Sequence, residues 1–166
     1  VGDLTSEELN DGLDILREGN VEQSQIEKLL WWRLSALHSE GKGQEAVEVL
    51  ISLQLDSSAD LSSLLPLVAD LPGDSAIKWL NDQIPNLDEM ALTQISISQK
   101  IDVNSRSMAI KRLQDSGGDS WEQIISAAIP LFTMTMELKR LSKIIVSDDL
   151  IAISHPYETL LVAHNL

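Results

Sequence analysis

Apolar residues recur three and four positions apart through most of this chain, in runs that stop at glycine or proline. That spacing gathers them on one face of a helix, whereas a half-buried strand needs strict alternation. The first run opens with Thr5 and Glu8 at capping-box spacing, continues through Leu9, Leu13 and Leu16, and stops at Gly19-Asn20. From Gln23 the positions Ile26, Leu29, Leu30, Leu34 and Leu37 lead to Gly41-Lys42-Gly43. Residues 44–55 then set Ala46, Val47, Leu50 and Leu53 opposite Glu45, Glu48 and Gln54. Two amphipathic helices on a short glycine turn predict an antiparallel hairpin. Residues 61–71 form another run, in which Pro66 fits only the first turn of a helix capped by Ser62 or Ser63. Leu71-Pro72-Gly73 breaks it and Asp74 or Ser75 restarts it. A further hairpin pairs residues 87–97 with 105–113, across the polar stretch 99–104, and closes at Gly117-Gly118.

The second helices share a pattern: Ala46 with Leu50, Ala76 with Leu80, and Ala109 with Leu113, at intervals of 30 and 33 residues. A small residue lets two helices approach closely and the leucine one turn on fills the space between layers. A unit that returns at this interval suits a helical solenoid, because one hairpin cannot bury its own apolar face. Residues 27–60 resemble a tetratricopeptide-type repeat, with Leu30, Leu34 and Leu37 on its first helix, Gly41 near its turn, and Ala46, Leu50 and Leu53 on its second. Leu34, Leu37 and Ser58 depart from the residues that family prefers. The resemblance implies a scaffold that holds other proteins in a concave groove and carries no catalytic residues. The fold expected is all-α, a right-handed stack of antiparallel helical hairpins of the tetratricopeptide-like (TPR-like) kind. Residues 1–145 are expected as the repeat domain and 146–166 as an irregular C-terminal cap or tail.

The last third is less regular. Asp119 with Glu122, or Ser120 with Gln123, offers a cap for a helix through Trp121, Ile124, Ile125, Ala128 and Leu131. Pro130 lies too deep for a first turn and is expected to kink or split this helix before residues 132–145 continue. The runs Lys143-Ile144-Ile145-Val146 and Leu150-Ile151-Ala152-Ile153 are β-branched. They read either as two short strands or as helix, with Ser154 capping a last helix over 156–163.

Few residues invite a chemical reading. There is no cysteine, hence no thiol nucleophile or zinc knuckle; the lack fits a reducing, cytoplasmic setting. Gly73-Asp74-Ser75 and Gly118-Asp119-Ser120 look like the start of a serine-hydrolase element but lack a preceding buried strand and a late Asp-x-x-His pair. A glycine ending one helix while aspartate or serine caps the next accounts for both. His38, His155 and His164 show no metal-ligand spacing, so no metal and no cofactor are expected. His38 suits a helix end, where a partly cationic ring complements free carbonyls. Gly41-Lys42-Gly43 lacks the flanking residues of a phosphate loop and is a turn. The weakly polar stretch 124–136 is closed by Glu137 and falls short of the roughly 20 residues a membrane span needs. Val1, Asp3, Glu7 and Glu8 are the opposite of a basic signal-peptide start, and the chain looks like a trimmed piece.

Charge and aromatics narrow the partners. The net charge is −14, with 18 acidic and 5 basic groups in residues 1–96, but 7 basic and 5 acidic in 97–145. Such a surface repels nucleic acid and anionic membranes, so neither is expected as a partner. Lys100, Arg106, Lys111, Arg112, Lys139, Arg140 and Lys143 form a local basic patch if their helices are neighbours, or else pair with Asp115 and Glu137. Trp31 and Trp32 are adjacent and about 100° apart on a helix, so one neighbouring layer cannot bury both equally. Trp79 and Trp121 fit core or inter-repeat packing. The leading function is therefore a non-enzymatic interaction module that takes a partner peptide or helix. Lys28, Trp31, Trp32 and Arg33 are the candidate contacts, with Arg106 and Lys111 as a secondary anionic contact. Two other readings stand beside it. One is a closed bundle that binds a small ligand, or an enzyme with an acidic pocket of His155, Asp148 and Glu158; the other is a homo-oligomerisation domain.

Overall fold

The apolar runs fold as helices. A computed structural model describes residues 4–19, 21–56, 58 and 60–165, and among these there is no strand. Asn20, expected to help end the first helix, and Val1 and Asp3 lie outside the described residues. The chain divides into two compact units, Val1–Leu87 and Asp88–Leu166.

In the first unit, α1 (Ser6–Glu18) begins with the expected capping box between Thr5 and Glu8. Its Leu9 and Leu13 are buried and pack on α2 (Gln23–Ser39), whose Leu30, Leu34 and Leu37 form the buried stripe. The other side of α2 packs on α3 (Gly43–Ser52). The link between them is a Schellman motif, in which Lys42 N–H donates to Leu37 O at 2.9 Å and Gly41 N–H to His38 O at 3.1 Å. Gly41 sits at φ 72° there, the left-handed conformation that glycine adopts without a steric cost.

Helix α3 stops three residues earlier than its apolar pattern, and the free carbonyl of its C-cap Leu53 accepts from the indole Nε1–H of Trp79 at 3.0 Å. Trp79 belongs to α5 (Ser75–Gln83), which packs on α3 and on α4 (Leu64–Asp70), and ends in a 3-10 turn, Ile84–Asn86. Pro66 lies in the first turn of α4, as expected, and Ser63 is the N-cap but makes no side-chain bond. Gly43 is held to glycine by packing: a Cβ there would stand 2.8 Å from Pro72 Cδ.

The second unit begins with α6 (Glu89–Ile97) and α7 (Val103–Ser116). Asp88 accepts from Ala91 N–H at 2.9 Å, and Asp102 accepts from Asn104 and Ser105 N–H, so both helices carry carboxylate caps. Helix α8 (Asp119–Met134) packs on α6, α7 and α9 (Leu138–Ser147), with Phe132 fully buried. Helices α10 (Asp149–Ser154) and α11 (Pro156–Asn165) both pack on α9. The β-branched runs are therefore helical: Ile144 and Ile145 are buried on α9.

Two expected features, a cap at Asp119 or Ser120 and a split at Pro130, do not form, for physical reasons. Neither Asp119 nor Ser120 caps α8; Gly118 is the N-cap, and the carboxylate of Glu89 lies against it where a Cβ would be. A negative group from α6 thus sits at the positive end of α8. Pro130 also does not split the helix. It and Ser126, whose carbonyl loses its amide partner, both lie on the exposed side, so that carbonyl is not forced into a dry interior. The break comes at Met136, in a second Schellman motif with Glu137 N–H to Phe132 O at 2.9 Å and Met136 N–H to Thr133 O at 3.3 Å.

Met136 stands at φ 55° with its side chain exposed, so it bears the left-handed strain without a packing return. Replacing it by glycine relieves that strain at the cost of a more flexible unfolded chain. Met136→Gly is expected to stabilise the second unit by up to about 1 kcal/mol in a denaturant melt. A loss of stability would show that the methionine side chain is doing more than its exposure indicates.

Candidate interaction surfaces

Helix α2 carries four of the candidate residues. At about 100° per residue, Lys28 and Trp32 point away from the Leu30–Leu34–Leu37 stripe, while Trp31 and Arg33 flank it on opposite sides. Lys28 is exposed, Trp32 is 43% exposed, and Trp31 and Arg33 are half-buried. The structure thus brings Lys28 and Trp32 onto one face and keeps Trp31 and Arg33 apart.

Arg33 leans toward α1 and α3. It lines one recess of about 160 Å³ with Arg17, Glu45 and Glu48, and a second of about 330 Å³ with Glu7, Asn10 and Lys42. Its Nε is enclosed and has no hydrogen-bond acceptor among the described residues. An N–H removed from water without a partner is costly, and a guanidinium offers further donors to any carboxylate that enters.

The hairpin that presents α2 is closed by a polar node. The carboxylate of Glu40 accepts from Ser6 N–H at 2.7 Å, from Ser6 Oγ at 2.6 Å and from the Lys42 ammonium at 2.8 Å. Ser6 N–H is one of the free amides in the first turn of α1, so Glu40 closes a helix start from across the hairpin. Lys42, then the Ser6 hydroxyl and amide, hold the Glu40 carboxyl at about 2, and Glu40 in turn raises the Lys42 ammonium.

In the second unit the basic residues of α7 are engaged internally. Lys111 forms an ion pair with Glu137, and Arg106 Nε donates to Ser96 O at 3.2 Å. Arg140 grips Asp115 with two bonds of 2.8 and 3.1 Å and reaches Gln114 Oε1 at 3.0 Å. Its guanidinium holds the Asp115 carboxyl below the usual range. The Glu137 and Arg140 contacts tie α7 to the start of α9, and the Arg106 bond ties it to α6. Arg106 and Lys111 belong to a different unit from the α2 residues.

His38 lies in the last turn of α2, with its Nε2 3.8 Å from a carboxylate oxygen of Asp70. His155 Nδ1 lies 3.1 Å from Ser154 Oγ and 3.2 Å from Ile151 O, and Asp148 accepts from Leu150 N–H. No hydrogen bond joins His155 to Asp148 or Glu158 among the described residues.

The pattern reading missed one feature. Val146, Leu150, Ile153, Tyr157 and Leu160 are 65 to 80% exposed, and α10 buries no residue at all. Leu150 with Ile153, and Tyr157 with Leu160, are each three residues apart on a helix, a spacing visible in the sequence once the segment is read as helical.

Compared with protein-family models, with curated proteins and with solved structures, the chain matches none.

The Glu40 node makes stability depend on acid. Because folding lowers this carboxyl from the ordinary 4.5 to about 2, its contribution is present above pH 4.5 and is lost as pH falls toward 2. A carboxyl titration followed by NMR is expected to place Glu40 near 2, and α1 amides are expected to exchange faster across that window. In Glu40→Gln this acid-dependent loosening of α1 is expected to shrink, with the Glu8 carboxylate of the capping box contributing the remainder. A Glu40 midpoint near 4.5 would contradict the node.

Proposed function

We propose that this chain is a non-enzymatic protein-interaction scaffold, made in each unit of helical hairpins of the tetratricopeptide-like kind, that takes a partner's peptide or helix on a concave face formed by α2. The observation that carries this reading is Trp32: a large indole left 43% exposed on the side of α2 that the core does not use. Exposed tryptophan supplies rigid apolar area at low entropic cost and is over-represented among the residues that dominate binding energy. Lys28 stands one turn away on the same face, and Arg33 has an enclosed Nε donor with no acceptor among the described residues. The repeat reading is supported by Ala46, Ala76 and Ala109, all fully buried at helix contacts.

The partner that suits this face is an apolar segment with a single carboxylate. The first unit carries 16 acidic groups against 5 basic, so an acid-rich partner is repelled while one carboxylate finds Lys28 on this face or Arg33 at its edge toward α1 and α3. Trp32→Ala is expected to weaken capture of partner segments selected from a displayed peptide library by about tenfold or more, with the melting temperature unchanged because the ring is outside the core. Arg33→Lys is expected to retain the charge but weaken carboxylate-bearing segments, since an ammonium lacks the planar fork. Equal recovery of the same segments by wild type and Trp32→Ala would remove α2 as the binding face.

A further inference from the structure

We infer that α10 and α11 form a second docking surface, one that takes a cationic amphipathic helix from another protein. Helix α10 contains Leu150, Ile151, Ala152 and Ile153 in six residues and buries none of them. On α11 the residue that faces the fold is Val162, roughly opposite Tyr157 and Leu160 on the helix. The packing of both helices on α9 therefore leaves Leu150, Ile153, Tyr157 and Leu160 in water, with Val146 at the end of α9 beside them in sequence. Scattered exposed apolar side chains are ordinary; five within fifteen residues, each more than three-fifths exposed, are the composition of a surface that awaits cover. Pairs three residues apart on a helix are also the anchors by which helices seat on one another.

Charge selects the occupant. Asp148, Asp149 and Glu158 are the only formally charged side chains in residues 146–166, so the apolar side chains stand among carboxylates with no lysine or arginine. Lys143, the nearest cation in sequence, adds to the positive charge that holds the Asp115 carboxyl down. A second copy would bring the same three carboxylates against these and no cation of its own from this segment. An anionic lipid surface is repelled for the same reason. A helix with lysine or arginine beside an apolar stripe satisfies both the exposed side chains and the acidic surround. This surface lies in the second unit and does not depend on the reading of α2.

The test uses the full chain and two synthetic helical peptides with the same leucine stripe, one flanked by lysine and one by glutamate, followed by fluorescence anisotropy at low and high salt. The lysine peptide is expected to bind at least about tenfold tighter than the glutamate peptide and to weaken with salt. Leu150→Ser with Ile153→Ser, side chains that contribute nothing to the core, is expected to lose about tenfold in affinity with an unchanged thermal melt. Asp148→Asn, Asp149→Asn and Glu158→Gln together keep the Asp148 capping oxygen and are expected to lose the salt dependence while retaining weak apolar binding. Equal lysine-peptide affinity for wild type and the Leu150/Ile153 variant would overturn the proposal, since that is attraction to an acidic protein in general. So would equal binding of both peptides by wild type, a concentration-dependent dimer abolished by the Leu150/Ile153 variant, or binding to zwitterionic vesicles in place of the peptide.

Discussion

Helices of six to seventeen residues are marginal in water on their own, so this fold depends on each helix losing one apolar side to a neighbour. In the first unit that constraint centres on α2. Its Leu30, Leu34 and Leu37 are buried between α1 and α3, and this fixes the rotation of the helix about its axis. Everything proposed for the outer face follows from that rotation: Trp32 and Lys28 point outward because the leucines point in. The Schellman turn at Gly41 and the Glu40–Ser6–Lys42 node then hold the neighbouring helix ends in place.

In the second unit the same demand is met on α9 but incompletely beyond it. Leu141, Ile144 and Ile145 are buried, and Val162 of α11 is buried too. The short α10 has no residue left for the core, and its Leu150 and Ile153 remain in water. Polar pairing serves a different purpose here. Lys111–Glu137 and Arg140–Asp115 span the gap between α7 and the start of α9, partly exposed pairs that orient more than they stabilise.

Much of the helical pattern was legible because leucine at three-and-four spacing has one physical solution. What the pattern did not show depends on contacts between elements. Gly118 serves as a cap because Glu89 arrives from α6, and no local rule anticipates that. Met136 ends α8 because two backbone hydrogen bonds close around it, although methionine carries no signal for a left-handed turn. The β-branched run Ile144-Ile145-Val146 favours a strand in isolation, and burial of Ile144 and Ile145 on α9 overrides that preference. For the candidate site, the divergence of Trp31 and Arg33 follows from helical phase alone. The internal engagement of Arg106 and Lys111 does not, since it requires knowing that Ser96 and Glu137 are neighbours.

The central claim is that the leucine stripe of α2 holds α1, α2 and α3 together and sets the face they present. Amide hydrogen exchange of Leu34→Ala measures it directly, because Leu34 is fully buried and its truncation removes roughly 2 to 5 kcal/mol of packing. The account predicts faster exchange throughout α1, α2 and α3, with α6 to α9 at their wild-type rates. Exchange that is unchanged in α1 and α3, or accelerated equally in both units, would contradict it.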